Sequence, residues 1–401
     1  MIAGVRQQFA TVASFAPRAF WFVWWGTLVN RLGGFVVPLL TIYLIEVRHL
    51  SVAEAGGVVS VFGAGNIVAS LIGGKLADGI GRRATMLISL FGGAASMFAL
   101  AFARDPLSIA IMVGVVGLVG ELYRPAVHAF VADVVPQAHR VDAFGIMYWA
   151  INLGFAVASV IGGLLANIDF TILFIADGIT MLVYGVLVAV AVPETKPARI
   201  ETATAAPARS WLRDRQLVIL VVISSVFMLL PMQAGATLSA HMSAQGFTPA
   251  AYGIVMAVNG VAIILLQPSM IGRIKRFDAQ HVIVAAALLY GAGIAMHGLG
   301  THIAIHMAAV IVWTLGEIID APTRSAVVSN LAPPEARGRY QGALVMTFGI
   351  AQLFGPKVGT WVWQHEGANV LWSSCLVIGI AVAIAFAITA PGRRRRVGSA
   401  I

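Results

Sequence analysis

The chain has 401 residues, 59% of them hydrophobic and only 11% charged, with a formal net charge of +9 and a mean hydropathy of +0.89. A soluble domain carries about 25% charged residues, so a water-soluble globule is excluded and the bilayer is the expected solvent. The bases lie in short segments between apolar runs, which argues against a nucleic-acid surface. The runs are unbroken rather than alternating, which argues against a transmembrane β-barrel.

Read in chain order, the apolar runs predict twelve spans at about 20–45, 53–74, 84–103, 107–132, 142–166, 169–192, 217–240, 248–271, 280–299, 303–330, 338–363 and 367–390. Each approaches or exceeds the ~20 residues that cross the hydrocarbon core. The expected fold is an all-α integral membrane protein of twelve transmembrane helices in two six-helix, pseudo-symmetric halves. The halves are expected at 1–193 and 217–401, the second ending in a basic cytoplasmic tail, with a cytoplasmic linker at 194–216. The first run is too long for a leader and lacks a small-residue cleavage site, so no cleavable signal peptide is expected. Cys375 is the single cysteine and leaves no intramolecular disulfide.

Span 1 holds Trp24, Asn30 and Arg31, the last two near its middle. Between spans 2 and 3 lies Gly74-Lys75-Leu76-Ala77-Asp78-Gly79-Ile80-Gly81-Arg82-Arg83, a glycine-rich turn with one acid and three bases. Its glycines permit a tight turn and close helix approach. Asp133 ends span 4. Within span 4, Glu121, Arg124 and His128 share a helical face beside Tyr123. Span 5 carries Asp142, Tyr148 and Asn152, and span 6 carries Asp177. Met232 and Gln233 follow in span 7 and Asn259 in span 8. His297 and His306 lack a companion at metal-ligand spacing, so no metal site is read. In span 10, Glu317, Asp320 and Arg324 repeat this one-face spacing of charged groups. Lys357 of span 11 and Asp177 are buried by sequence position.

A charge near the bilayer centre costs at least ~2.5–3.5 kcal/mol and needs a reason. A carboxylate there can load and release a proton as access changes sides. Glu317 is the leading proton-coupling candidate, followed by Glu121, Asp320 and Asp142. For Glu121 and Asp320 the competing reading is a buried ion pair, with Arg124 and Arg324 respectively. Arg31, Asn30, Trp24, Tyr123, Arg124, Tyr148, Asn152, Gln233 and Asn259 are candidate substrate-binding residues, against ordinary helix packing or an interfacial tryptophan belt. A wall rich in aromatic rings and methionine would hold lipophilic cations by dispersion and cation–π contacts.

Orientation follows from the bases. With a cytoplasmic N-terminus the outer loops hold only Arg48 and Arg104, and every other base outside the spans falls on an inner segment, so both termini are expected inside. The halves also repeat. Gly120-Glu121, Pro125, Pro136, Arg140 and Gly145 recur as Gly316-Glu317, Pro322, Pro333, Arg337 and Gly342. The offset is 197 residues from the first proline onward, matching Gly162 to Gly359, and 196 before it. Six helices separate equivalent points, so the copies share one membrane orientation.

These motifs resemble the major facilitator superfamily over the whole chain. Gly74-x-Leu76-Ala77-Asp78-x-x-Gly81-Arg82-Arg83 is similar to the family's loop 2–3 motif nearly position for position. The second-half turn Gly272-Arg273-Ile274-Lys275-Arg276 keeps the bases and lacks the acid. Gly-Glu in spans 4 and 10 resembles bacterial proton-coupled multidrug exporters. Asn152, Gly154, Gly162 and Gly163 fit the span-5 antiporter motif, but Ala158-Ser159 stands where Gly-Pro is expected. A related Gly355-Pro356-x-x-Gly359 lies in span 11.

The resemblance implies a bacterial cytoplasmic-membrane protein that exports drugs or amphipathic molecules against protons by alternating access. The alternative is a facilitator or symporter for a sugar, organic acid or other polar metabolite. The resemblance also implies a gate of Gly74, Asp78, Gly81, Arg82 and Asp133, with Asp78 meeting span 11. Spans 1, 4, 7 and 10 would line the cavity. Expected partners are a small-molecule substrate, protons and lipid, with no nucleic acid and no cofactor, and a monomer suffices. No phosphate-binding loop, zinc-protease motif or nucleophile–base set argues for an enzyme.

Overall fold

The computed structural model describes residues 9–10, 12–136, 139–195, 213–274, 276–332 and 337–398. The described residues form helices and connecting turns, without strand. Twelve long helical stretches follow one another. They are α1 (Arg18–Glu46), α2 (Val52–Gly79), α3 (Arg82–Phe102), α4 (Pro106–Val134), α5 (Arg140–Ile168), α6 (Phe170–Ala191), α7 (Arg215–Ala244), α8 (Pro249–Ile274), α9 (Ala279–Ala295), α10 (Ile303–Leu331), α11 (Arg337–His365) and α12 (Ala368–Gly398).

Eleven are long and apolar enough to cross a membrane. α11 has the length but carries Arg337, Arg339, Lys357 and three glutamines. Two of those glutamines serve packing: Gln352 accepts from Asn66 at 2.9 Å, and Gln364 accepts from the Ala53 amide at 2.6 Å.

Helix ends follow local chemistry. Ser51 and Glu54 form a capping box at α2. Asp105, Asp169, Asp214 and Asp278 cap α4, α6, α7 and α9 through carboxylates that accept first-turn amides. Three helices break mid-membrane. α1 is split between Arg18–Gly33 and Val36–Glu46, α4 between Pro106–Val119 and Tyr123–Val134, and α7 resumes at Ala236–Ala244.

Several boundaries differ from expectation. α2 runs on to Gly79, so the charged turn shrinks to Ile80-Gly81 and most of its residues are helical. α7 starts at Arg215, two residues early, and residues 196–212 of the expected linker lie outside the described residues. The basic stretch is no tail as far as Arg395: α12 continues through it. Arg393 is buried there, its Nε donating to Gln280 at 2.7 Å.

The two sets of six helices meet along two seams, α2 against α11 and α5 against α8. Gly56 and Gly63 face α11; Gly253 and Gly260 face α5. Each pair of equivalents is 197 positions apart, the offset already seen in the motifs. A side chain at Gly63 would run into the Gln352 backbone, and one at Gly253 into the Ser159 backbone, so only a bare backbone passes this closely.

Among the described residues, the hydrogen bonds between the halves lie from mid-seam to the end bearing the α1–α2 loop. They include Ser243 Oγ to Glu46 and Ala250 N to Asn167. This is the distal end. At the other, terminal end, which bears the α2–α3 turn, no hydrogen bond or ion pair joins the described residues of the two halves.

Candidate functional site

A cavity of about 410 Å³ lies between the halves. Gly34, Gly120 and Gly235, one from each helix break, line it. An interrupted helix frees backbone and lets side chains just beyond the break turn inward. Met97, Met181, Met232 and Met256 join Phe62, Phe155, Tyr252, Tyr290, Trp313 and Phe348 in a largely apolar, deformable wall.

On the first-half wall, Tyr123 Oη accepts from Asn30 Nδ2 at 3.0 Å and from Arg31 Nη2 at 3.1 Å. Glu121, at the α4 break, is ion-paired with Arg124. Asp177 of α6 is 5% exposed and also lines the cavity, packed against Gly33 at the α1 break. Sequence spacing assigned Asp177 no partner, because it comes from a helix outside the expected cavity set.

On the second-half wall, Glu317 accepts from Asn259 Nδ2 at 2.8 Å, and the same amide reaches Thr314 Oγ1 at 2.9 Å. Among the described residues Glu317 has no cationic partner. Asp320 is turned away from the cavity. It accepts from Arg324 at 2.6 Å, and the guanidinium lies 5.0 Å over the Phe227 ring. The cavity thus holds Glu121 closed by Arg124, Asp177 packed beside Gly33, and Glu317 held by an amide alone.

Of the expected substrate residues, Asn30, Arg31, Tyr123, Arg124 and Asn259 reach the cavity. Trp24, Gln233, Tyr148 and Asn152 do not line it. Trp24 Nε1 donates to the Ile146 carbonyl within an aromatic cluster with Phe9, Trp21 and Trp149. Gln233 bonds Leu229, Gly355 and Thr237. Asn152 donates to the Tyr148 carbonyl, and Tyr148 is 39% exposed. Lys357, expected buried, is exposed next to cavity-lining Pro356. The side chain of Asp142 lies outside the described residues.

Among the residues expected to form a gate, Arg82 is the hub. It reaches Asp78 at 3.0 Å, Asp133 at 2.9 Å and the Ala77 carbonyl at 2.8 Å. Among the described residues Asp78 is ion-paired with Arg82 of its own half, and the side chains that begin α11, residues 337–339, lie outside the described residues. Asp78 has 73% of its side chain exposed. Gly74 is helical and nothing crowds it. Gly81 has φ +113°, a conformation suited to glycine, and packs on the Glu194 carboxylate. Glu194 accepts from the amides of Arg82 at 2.6 Å, Arg83 at 3.3 Å and Ala84 at 3.2 Å, so it caps α3 from 112 residues away. No spacing rule exposes a cap that distant in sequence.

Comparison with known proteins agrees with this architecture. The profile of the Major Facilitator Superfamily matches twice, over residues 23–242 and 232–400. The chain is 25% identical to the uncharacterised MFS-type transporter YttB of Bacillus subtilis, covering 90% of this chain and 92% of that one. It is 26% identical to a Na(+), Li(+), K(+)/H(+) antiporter of Planococcus maritimus (80% and 84%) and 24% identical to the multidrug resistance protein MdtH of Cronobacter sakazakii (87% and 88%). A solved structure of the peptide transporter POT in complex with sulfate superposes with a TM-score of 0.80 at 16% identity, over 96% of this chain and 99% of that one. The chain therefore belongs to the Major Facilitator Superfamily and is a multi-pass membrane secondary transporter, not an enzyme.

Proposed function

We propose that this transporter exports cationic or amphipathic small molecules in exchange for protons, by alternating access. The observation that carries this reading is Glu317. It is the acid of the cavity wall with no base beside it, and it faces a methionine- and aromatic-rich space. An uncompensated carboxylate in a membrane interior is costly when ionised. A proton or a substrate cation relieves that cost, and the two compete for one group. Coupling then requires that proton and substrate each prefer different facing states. The multidrug resistance relative MdtH lends support, and the antiporter relative supports proton exchange.

The base distribution supports termini and linker on the cytoplasmic side of a bacterial cell membrane. On that orientation the hydrogen bonds at the distal end support reading this as a cytoplasm-facing state. Asp78, Arg82 and Asp133 then form the gate side of the first half, poised for α11 when the terminal end closes. A second reading is exchange of a monovalent metal cation at the same acid. The Planococcus maritimus relative and the oxygens of Glu317 and Thr314 beside Asn259 favour it.

Reconstitution in proteoliposomes under an imposed pH gradient separates these. Lipophilic cations, neutral drugs, sugars and Na⁺ would each be offered in turn. Proton-driven movement of lipophilic cations that disappears in Glu317→Gln supports the proposal. Movement of sugars alone, or unaltered movement in Glu317→Gln, overturns it.

A further inference from the structure

Three histidines from three helices meet at the distal end, outside the cavity that Glu317 lines; His306 is on the same helix as Glu317, eleven residues before it. His241 is on the last segment of α7, His297 on the turn after α9, and His306 near the start of α10. His297 Nδ1 lies 3.0 Å from His306 Nδ1. The Gln245 side-chain amide bridges the other two, one end 2.9 Å from His306 Nε2 and the other 2.9 Å from His241 Nε2. Trp363 of α11 donates to His241 Nδ1 at 3.1 Å. His297 and His306 are 0% exposed and His241 is 7% exposed.

Donor counting gives this chain a direction. An indole N–H only donates, so His241 Nδ1 is an acceptor and its proton sits on Nε2. The end of Gln245 facing it must then be the oxygen. The two ends of an amide interchange by a half-turn, and a 3.5 Å contact with the Gly300 carbonyl is too long to decide otherwise. Gln245 therefore donates to His306 Nε2, and His306 Nδ1–H donates to His297 Nδ1. The proton of neutral His297 is left on Nε2, which is buried without a partner.

Each link holds one proton when all three rings are neutral. A further proton on any imidazole sets two N–H groups face to face and breaks a link. Of the groups around the chain, the His297 backbone reaches His241, and the others are apolar or engaged elsewhere. Phe247 and Trp372 pack on it as apolar rings. His302, His365 and Glu366 are exposed near the same end; His302 Nδ1 accepts from the Ala304 amide, and the His365 ring bonds the Trp361 carbonyl. Among the described residues, the charges acting on the three rings are those of the other rings.

We propose that His241, His297 and His306 form a proton-binding site at the distal end, and that occupying it loosens the seal between the halves there. The link to the seal is α7. The segment that carries His241 also carries Ser243, whose hydroxyl donates to Glu46 of α1 across the interface. Neutral, the chain ties that segment to α9, α10 and α11 and holds Ser243 against Glu46. Protonated, it frees the segment. The proposal adds to the exchange mechanism and rests on it only for which compartment supplies the proton.

The test uses the full-length protein in liposomes with Cys375→Ser, Glu46→Cys and Ser243→Cys, in a Glu317→Gln background. A bifunctional pyridyl disulfide, which reacts with thiols in acid as well as at neutral pH, reads the seal. As distal-side pH is lowered from about 7.5 to about 4, through the imidazole range and below it, the crosslinked fraction should fall by about half or more. His297→Asn and His306→Asn keep an amide for hydrogen bonding but cannot take the proton, and the fraction should then stay level. If one variant yields no folded protein, the other carries the test. A level response in the parent, or an unchanged fall in the variants, overturns the proposal. The background already lacks the Glu317 carboxylate, so this result and the test of Glu317 stand independently.

Discussion

Glu121 and Glu317 occupy the same place in the repeat, each following a glycine in the fourth helix of its half, yet they have opposite surroundings. Three residues on, the first half places Arg124 and the second places Asp320, a reversal of charge. Arg124 closes on Glu121. In the second half the base comes one turn later, is used by Asp320, and leaves Glu317 to an amide. One copy of the motif has become a braced wall and the other an open acid. A duplicated helix can therefore divide structure from coupling by moving one base along a face.

The comparison breaks first at its ion pairs. Arg324→Leu strands a carboxylate in a pair whose side chains are 7% and 4% exposed, and should cost about 3–5 kcal/mol. Arg124→Leu should cost less than half as much, because Arg124 is 40% exposed and solvent can reach it. Thermal unfolding of purified protein in detergent checks the order. If the two are equal, the pairs are alike.

Next come the acids themselves. Glu317→Gln should lower proton-driven transport at least about tenfold, or about 1.4 kcal/mol of coupling, while Glu121→Gln should leave most of it. Equal losses in a liposome flux assay would erase the distinction between the halves.

The twin turns extend the contrast. Gly81 needs positive φ and sits on Glu194, so Gly81→Ala should cost about 1–3 kcal/mol. Glu194→Gln, which keeps an acceptor and loses the charge at the α3 N-terminus, should cost about 1 kcal/mol or less. At the second turn, Asp278 is held by Arg394 at 3.1 Å with both side chains about half exposed.

The hydrogen bond from Arg394 holds the Asp278 carboxyl below its ordinary range. The small stabilisation it brings is present above the unfolded carboxyl's pKa and is lost as pH falls through the lowered one. Arg394→Gln should therefore cost under about 1 kcal/mol at neutral pH and nothing in strong acid. Unfolding midpoints measured at both pH values check it.

Much of the fold was legible because hydropathy and repeat spacing are local properties. The twelve runs, the 197-residue offset and the pairing of Glu121 with Arg124 could all be read off one helix at a time. What could not be read depended on neighbours brought together by folding. α11 hides its polar residues in a seam, so its composition understates its place. Asp177 joins the cavity wall through packing against Gly33. Trp24 and Gln233 look available on a helix face but are used by carbonyls on other turns and helices. The histidine chain needs three helix ends to converge, and only the i, i+4 spacing of His241 and Gln245 hints at it.

The glycines of the seams carry a mechanical consequence. Gly56, Gly63, Gly253 and Gly260 make two close bearings, in which Gly63 and Gly253 pass against bare backbone, while the Asn66–Gln352 and Gln364–Ala53 hydrogen bonds latch the α2–α11 side. A single methyl group at Gly253 would act as a tooth in the bearing, slowing the stroke while leaving both cavity walls intact.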